Sequence, residues 1–158
     1  MTLAPARGGG IGGHPHRGSH PKGPREGFVR GSRPGTLGPV ARRVLVVDDN
    51  TAQREIVAEI LEGEGYEVAV AQNGIDGLAA ARASPPAVVI LDLMMPGLDG
   101  AAVLRELRAD PALAAVRVVV TTGLSTALVT KLLQPDATLF KPFGMRELLA
   151  VLDRLAPG

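Results

Sequence analysis

The sequence predicts an α/β domain: a five-stranded parallel sheet with helices packed on both faces. Three observations carry the prediction. From Arg43 to the C-terminus, short apolar runs alternate five times with stretches of helical period, and right-handed crossovers turn such an alternation into a parallel sheet between two helix layers. The run Val88-Val89-Ile90-Leu91 is apolar without interruption, which fits a strand covered on both sides. Finally, Asp48, Asp49, Asp92, Thr122 and Lys141 all stand where a strand hands over to a loop. One edge of the sheet therefore collects them, the edge at which open parallel sheets keep their sites.

Each element follows from local chemistry. Val44 to Val47 reads as a short buried strand that ends in Asp48 and Asp49. A helix is expected from about Ala52 to Glu64, with Ile56, Val57, Ile60 and Leu61 on one stripe. Gly65 ends it. Glu67 to Ala71 is a second strand, Asn73-Gly74 turns the chain, and Ile75 to Ala83 forms a helix stopped by Pro85 and Pro86. The central strand, Ala87 to Leu91, delivers Asp92, and Met94, Met95, Pro96, Gly97 and Gly100 make a turn-rich exit. A third helix is expected from Gly100 to Ala109, a fourth strand from Val116 to Thr121 and a fourth helix from Ser125 to Leu133. Ala137 to Phe140 is the fifth strand, and Met145 to Leu155 a closing helix with Leu148, Leu149, Leu152 and Leu155 apolar.

Residues 1–42 have a different character. Gly, Pro, Arg, Ser and His dominate, with no period of two or 3.6, so this stretch cannot bury enough surface to offset ordering and is expected to be a disordered tail. The domain is then 43–158. The charge divides in the same way: residues 1–43 carry eight basic side chains against Glu26, a net of +7, and the remainder nine basic against fifteen acidic, a net of −6, for the overall +1. His14, His16 and His20 lack the companion ligands of a metal site and read as part of a solvated tail. The tail's charge gives a weak electrostatic route to nucleic acid, with Phe28 its only aromatic for stacking. There is no cysteine, which excludes disulfides, thiolate catalysis and cysteine metal sites. No apolar run approaches the roughly 20 residues that span a bilayer, and the N-terminus lacks the apolar core of a secretory signal. A cytoplasmic protein with no membrane span is expected.

The edge constellation has its own chemistry. An ionised Asp is costly inside a sheet, so Asp92 belongs at a strand end, where the bland reading is a turn cap. Three carboxylates in one crevice repel one another and stay ionised together only around a cation. An all-oxygen donor set suits a hard divalent ion, Mg²⁺ with several waters retained. One carboxylate can then act as a nucleophile toward phosphorus, with a hydroxyl (Thr122) and an ammonium (Lys141) to neutralise phosphoryl oxygens.

Taken together, Asp48-Asp49 after the first strand, L-D-L-M-M-P-G-L-D-G around Asp92, T-T-G at Thr121 to Gly123 and F-K-P-F at Phe140 to Phe143 resemble the receiver domain of bacterial two-component response regulators. The resemblance runs from about Arg43 to the C-terminus. It implies the flavodoxin-like, doubly wound sheet of order 2-1-3-4-5. It also implies a phosphoprotein of phosphorelay signal transduction, not an enzyme, whose partners are a sensor histidine kinase or histidine phosphotransfer protein and a further downstream protein. By position, Asp92 resembles the phosphoacceptor. Asp49, Asp92 and the backbone carbonyl of Met94 look like direct Mg²⁺ contacts, and Asp48 a water-mediated one. Thr122 resembles the switch hydroxyl, with Thr121 one step back in the strand. Lys141 resembles the cation that pairs with the phosphoryl group, and its bond to Pro142 is expected to be cis. Met94 and Leu124 take the positions that border the path of the water attacking the acyl phosphate. Both are apolar, which implies slow hydrolysis.

Two departures bear on the readout. Where the family usually places an aromatic, three residues before the lysine, this chain has Thr138, with Phe140 two residues on as a substitute facing the same side. The segment from Thr122 to Lys141 is also short by about one helical turn. Ending soon after the closing helix, the chain reads as a stand-alone receiver that signals by docking or onward phosphotransfer. Two rivals compete with that reading. One is a receiver-fold interaction module that is never phosphorylated, against which the full set of five polar groups counts. The other is an aspartyl-nucleophile phosphatase, which would carry its two acids two residues apart on the first strand.

Overall fold

The computed structural model describes residues 29–30, 42–97, 99–123, 131 and 133–157. Its strands are β1 (Val29–Arg30), β2 (Arg43–Val47), β3 (Glu67–Ala71), β4 (Val88–Asp92), β5 (Arg117–Thr122) and β6 (Ala137–Phe140). Its helices are α1 (Thr51–Gly63), α2 (Gly74–Ala83), α3 (Gly100–Ala109), a 3₁₀ turn at Pro111–Leu113 and α4 (Met145–Leu155). The sheet runs β1-β3-β2-β4-β5-β6. Every pairing from β3 to β6 is parallel, and counted from Arg43 the five parallel strands have the expected order 2-1-3-4-5.

Period-two alternation splits the core into two layers. Leu45, Val47, Val89, Leu91, Val118 and Val120 face Leu78 and Ala81 of α2 and Val103, Leu104 and Leu107 of α3. Their sequence neighbours Val44, Val46, Val88, Ile90 and Val119 face Val57, Ala58 and Leu61 of α1 and Leu148 and Leu152 of α4. All five residues of β4 are buried, as an apolar run between two helix layers requires. Truncating a side chain such as Leu61 or Leu148, neither exposed at all, would cost about 2–5 kcal/mol.

Several expectations need correction. In α1 the buried stripe is Arg54, Val57, Ala58 and Leu61, while Ile56 is 56% exposed and Ile60 only partly buried. The helix also starts one residue early, at Thr51, because Asn50 caps it by accepting from the Gln53 N–H. Its C-terminus is a Schellman motif: Tyr66 N–H bonds Leu61 O, Gly65 N–H bonds Glu62 O, and Gly65 has φ +88°. The tail, expected to lack regular structure throughout, supplies β1, whose Val29 and Arg30 pair antiparallel with Ala69 and Val68. Apart from Arg42, the rest of the tail, including His14, His16 and His20, lies outside the described residues, as do Leu124 and most of the expected fourth helix, of which Lys131 and Leu133 are helical.

The architecture sets up a crevice. From β2 the chain crosses to β3 on one side and then returns to β4 on the other, so the order reverses between β2 and β4, where doubly wound sheets leave an opening at the strand C-termini. Asp48 follows β2 and Asp92 ends β4.

Candidate functional site

Backbone bonds beyond the strand ends hold this edge in place. Asp48 N–H donates to Ala71 O at 3.1 Å, Leu93 N–H to Thr121 O at 3.0 Å and Lys141 N–H to Thr122 O at 2.7 Å. The Lys141–Pro142 bond is cis, as the resemblance implied. Gly100 brings α3 against the same edge, since a Cβ there would stand 2.4 Å from the Asp92 carbonyl oxygen and 2.6 Å from Leu93 Cα. Only glycine allows so close an approach to backbone.

The acids converge. Carboxylate oxygens of Asp48, Asp49 and Asp92 lie within 4.8 Å of one another, with Asp48 and Asp92 buried and Asp49 exposed. Each buried carboxylate gives one oxygen to an N–H two residues on: Asp48 Oδ1 accepts from Asn50 at 2.9 Å and Asp92 Oδ1 from Met94 at 3.1 Å. The other oxygens face Lys141, whose Nζ is 3.5 Å from Asp48 Oδ2 and 3.3 Å from Asp92 Oδ2. One ammonium among three carboxylates leaves an excess of negative charge. Burial pushes the Asp92 carboxyl above its ordinary range. The charge of Asp48 adds to that, while the Met94 N–H bond and Lys141 pull the other way. Clustered oxygen donors, two of three withdrawn from water and under-neutralised by the protein, are the donor set a hard divalent cation fits.

Thr121 and Thr122 are both buried. The sheet register sets Thr121 beside Asp92 and Thr122 one step further, beside Phe140, which matches the expectation that Thr121 sits one step back. Met94 projects at the rim with its side chain in solvent, being 59% exposed. On β6, Leu139 is buried while Phe140, two residues from Thr138, is half exposed, and among the described residues the buried Thr138 hydroxyl has no partner.

Two residues at this edge were not singled out in the sequence. Asn50 bonds Asp48 while capping α1. Arg54 is 8% exposed and donates from one guanidinium nitrogen to the Asp48 carbonyl oxygen at 2.8 Å and from the other to Thr51 Oγ1 at 3.4 Å. The signal for Arg54 was its spacing, since it stands three, four and seven residues before Val57, Ala58 and Leu61 on the buried stripe, where a charge needs a reason.

The family model of the response regulator receiver domain matches residues 44–153. The DNA-binding response regulator MtrA of Mycobacterium tuberculosis is 38% identical over 109 residues, 69% of this chain and 48% of that protein. Protein PilH of Pseudomonas aeruginosa is 40% identical over 80 residues, 51% of this chain and 66% of that one. The chain thus spans about half the length of the MtrA relatives it matches. Among solved structures, the Vibrio cholerae chemotaxis response regulator CheY4 superposes with TM-score 0.69 at 28% identity, covering 73% of this chain and 99% of that one. The receiver domain of the Pseudomonas aeruginosa sensor histidine kinase PA1611, with a magnesium ion coordinated in its active-site cleft, gives 0.67 at 27% identity, covering 73% and 98%.

Proposed function

The chain belongs to the response regulator receiver family, and from that premise we propose that it takes a phosphoryl group onto Asp92 from a phosphohistidine of a sensor kinase or phosphotransfer protein. The observation that carries the proposal is the buried Asp92 carboxylate, within 4.8 Å of two further acids and 3.3 Å from the Lys141 ammonium. An oxygen of Asp92 forms the new O–P bond as the N–P bond of the phosphoimidazole breaks, and the leaving nitrogen keeps the electron pair.

This chain's residues divide the remaining work. Lys141 faces the Asp92 oxygen that Met94 does not occupy and is placed to pair with a phosphoryl oxygen. Thr122 supplies a hydroxyl at the exit of β5, taking a second oxygen. Asp49, Asp92 and the Met94 carbonyl would hold Mg²⁺, with Asp48 reaching it through water. The ion, when bound, neutralises charge on the acids and on the incoming phosphoryl group. In this reading the protein is a phosphorylated switch in the cytoplasm, not an enzyme, and it signals by docking or by passing the phosphoryl group onward. No helix among the described residues is long and apolar enough to cross a membrane.

The test is incubation with a small-molecule phosphodonor and Mg²⁺ followed by intact-mass measurement. One phosphoryl adduct is expected on the wild type, and none on Asp92→Asn or in excess chelator. An equal adduct on Asp92→Asn would overturn the assignment.

A further inference from the structure

A buried guanidinium is expensive unless its donors and charge are used. Among the described residues no carboxylate lies within ion-pair distance of Arg54, which is 8% exposed. Its shorter bond, 2.8 Å, goes to a backbone carbonyl, that of Asp48. That carbonyl belongs to the peptide joining the two first-strand acids.

Asp48 has other restraints. Its N–H bonds Ala71 O, its Oδ1 accepts from Asn50 and its Oδ2 faces Lys141. Asp49 is exposed, and among the described residues none bonds its carboxylate. The direction of that side chain is therefore set by its own backbone, and the peptide on its N-terminal side is the one Arg54 grips. The grip is rigid at both ends. Arg54 N–H closes the first turn of α1 on Asn50 O at 2.9 Å, and the second guanidinium nitrogen reaches Thr51 in that turn.

We infer that Arg54 is a positioning residue for the cation site: by fixing the Asp48–Asp49 peptide against the first turn of α1, it aims the exposed Asp49 carboxylate into the crevice with Asp48 and Asp92. The inference rests on the proposed function for the identity of the cation. The Arg54 charge acts in the opposite sense, offsetting repulsion among the acids when the cation is absent, so the gain in Mg²⁺ affinity comes from the positioning alone. A lysine in its place would keep the charge and lose the planar fork that bonds the carbonyl and Thr51 together.

Mg²⁺ affinity measured by isothermal titration calorimetry, with no phosphodonor, tests this on the full chain. Partners that orient a metal ligand are worth about ten- to a hundredfold in metal affinity, so Arg54→Met is expected to weaken binding by that factor and Arg54→Lys by less. The Mg²⁺ concentration for half-maximal phosphorylation should rise in parallel, while the rate at saturating Mg²⁺ returns close to wild type. A variant with a lowered melting temperature but wild-type Mg²⁺ affinity would make Arg54 purely structural and overturn the inference. So would a fall in the saturated rate with unchanged Mg²⁺ dependence. If Arg54→Met does not fold, Arg54→Lys decides by the same measurement, and unchanged affinity there sinks the idea. Failure of the proposed function reads differently: the wild type would bind Mg²⁺ yet gain no adduct at Asp92.

Discussion

At the residue scale, the site is two buried aspartates each tied to a backbone N–H two residues ahead and sharing one lysine. That arrangement leaves one oxygen of Asp92 for chemistry and gives each neighbour a separable role. If Thr122 supplies the phosphoryl-binding hydroxyl, Thr122→Ala should slow phosphorylation by about tenfold, the worth of one hydrogen bond to a charged group. Thr121→Ala should stay near wild type. The reverse pattern, measured by intact mass against time, would move the role to Thr121, which the register sets beside Asp92. Lifetime is a second residue-scale property. The exposed, apolar Met94 at the rim offers an attacking water no hydrogen bond. Met94→Asn should therefore speed loss of the phosphoryl group by about ten- to a hundredfold, equivalent to about 1–3 kcal/mol in the transition state. Unchanged decay would show that the rim side chain does not control the water.

At the element scale, two junctions fix how secondary structures meet the crevice. The first is the start of α3 against the Asp92–Leu93 backbone. Because a Cβ at Gly100 would collide with main-chain atoms and not with a yielding side chain, Gly100→Ala should destabilise the domain by about 2 kcal/mol or more and weaken Mg²⁺ binding. An alanine variant with wild-type melting and affinity would refute the packing account. The second junction is Asp136, which accepts from Val118 N–H at 2.7 Å, Arg108 at 2.6 Å and Arg117 at 3.3 Å. It thereby joins the entry to β6 with β5 and the end of α3. Burial alone would raise its carboxyl, but the Val118 N–H and the two guanidiniums together outweigh burial and lower it below the ordinary 3.8. A depressed folded-state value means stability that is complete above the unfolded value and is lost as pH falls through the folded one. Asp136→Asn should cost about 1–3 kcal/mol at pH 7, with the gap to wild type narrowing as pH falls below the ordinary 3.8. A gap independent of pH in denaturant titrations would contradict this.

At the scale of the whole molecule, the question is where the folded unit begins. Arg42 bonds the Ala156 carbonyl, stands 3.8 Å from Asp153 and lies 4.8 Å over the Tyr66 ring, so it ties the entry to β2 to the end of α4. β1 adds only two residues to the β3 edge. A chain beginning just before Arg42 should therefore melt and be phosphorylated like the full chain. One that also carries Arg42→Ala should lose about 1–2 kcal/mol, through the lost cation–π contact and hydrogen bond. A marked fall in stability on removing residues 1–41 alone would show that the tail contributes more than its short strand.

The sequence by itself determined the alternation of strands and helices, the two-sided burial of β4 and the identity of the edge residues, because each is written in local period and in the placement of charge at strand exits. The order of the sheet, and the choice of Asp92 among the three acids as the proposed phosphoacceptor, were legible only through resemblance, since hydrophobic period carries no information about which strand lies beside which. What the tertiary structure alone decided is how those residues meet. Lys141 lies between Asp48 and Asp92, Gly100 rests on the Asp92 backbone, and Ile56 gives way to Arg54 on the buried face of α1. Each of these depends on contacts between segments far apart in the chain or on the exact rotation of a helix about its axis. A shift of one residue in that rotation moves a side chain about 100° around the helix, enough to exchange core for solvent and beyond what a pattern of apolar residues can fix.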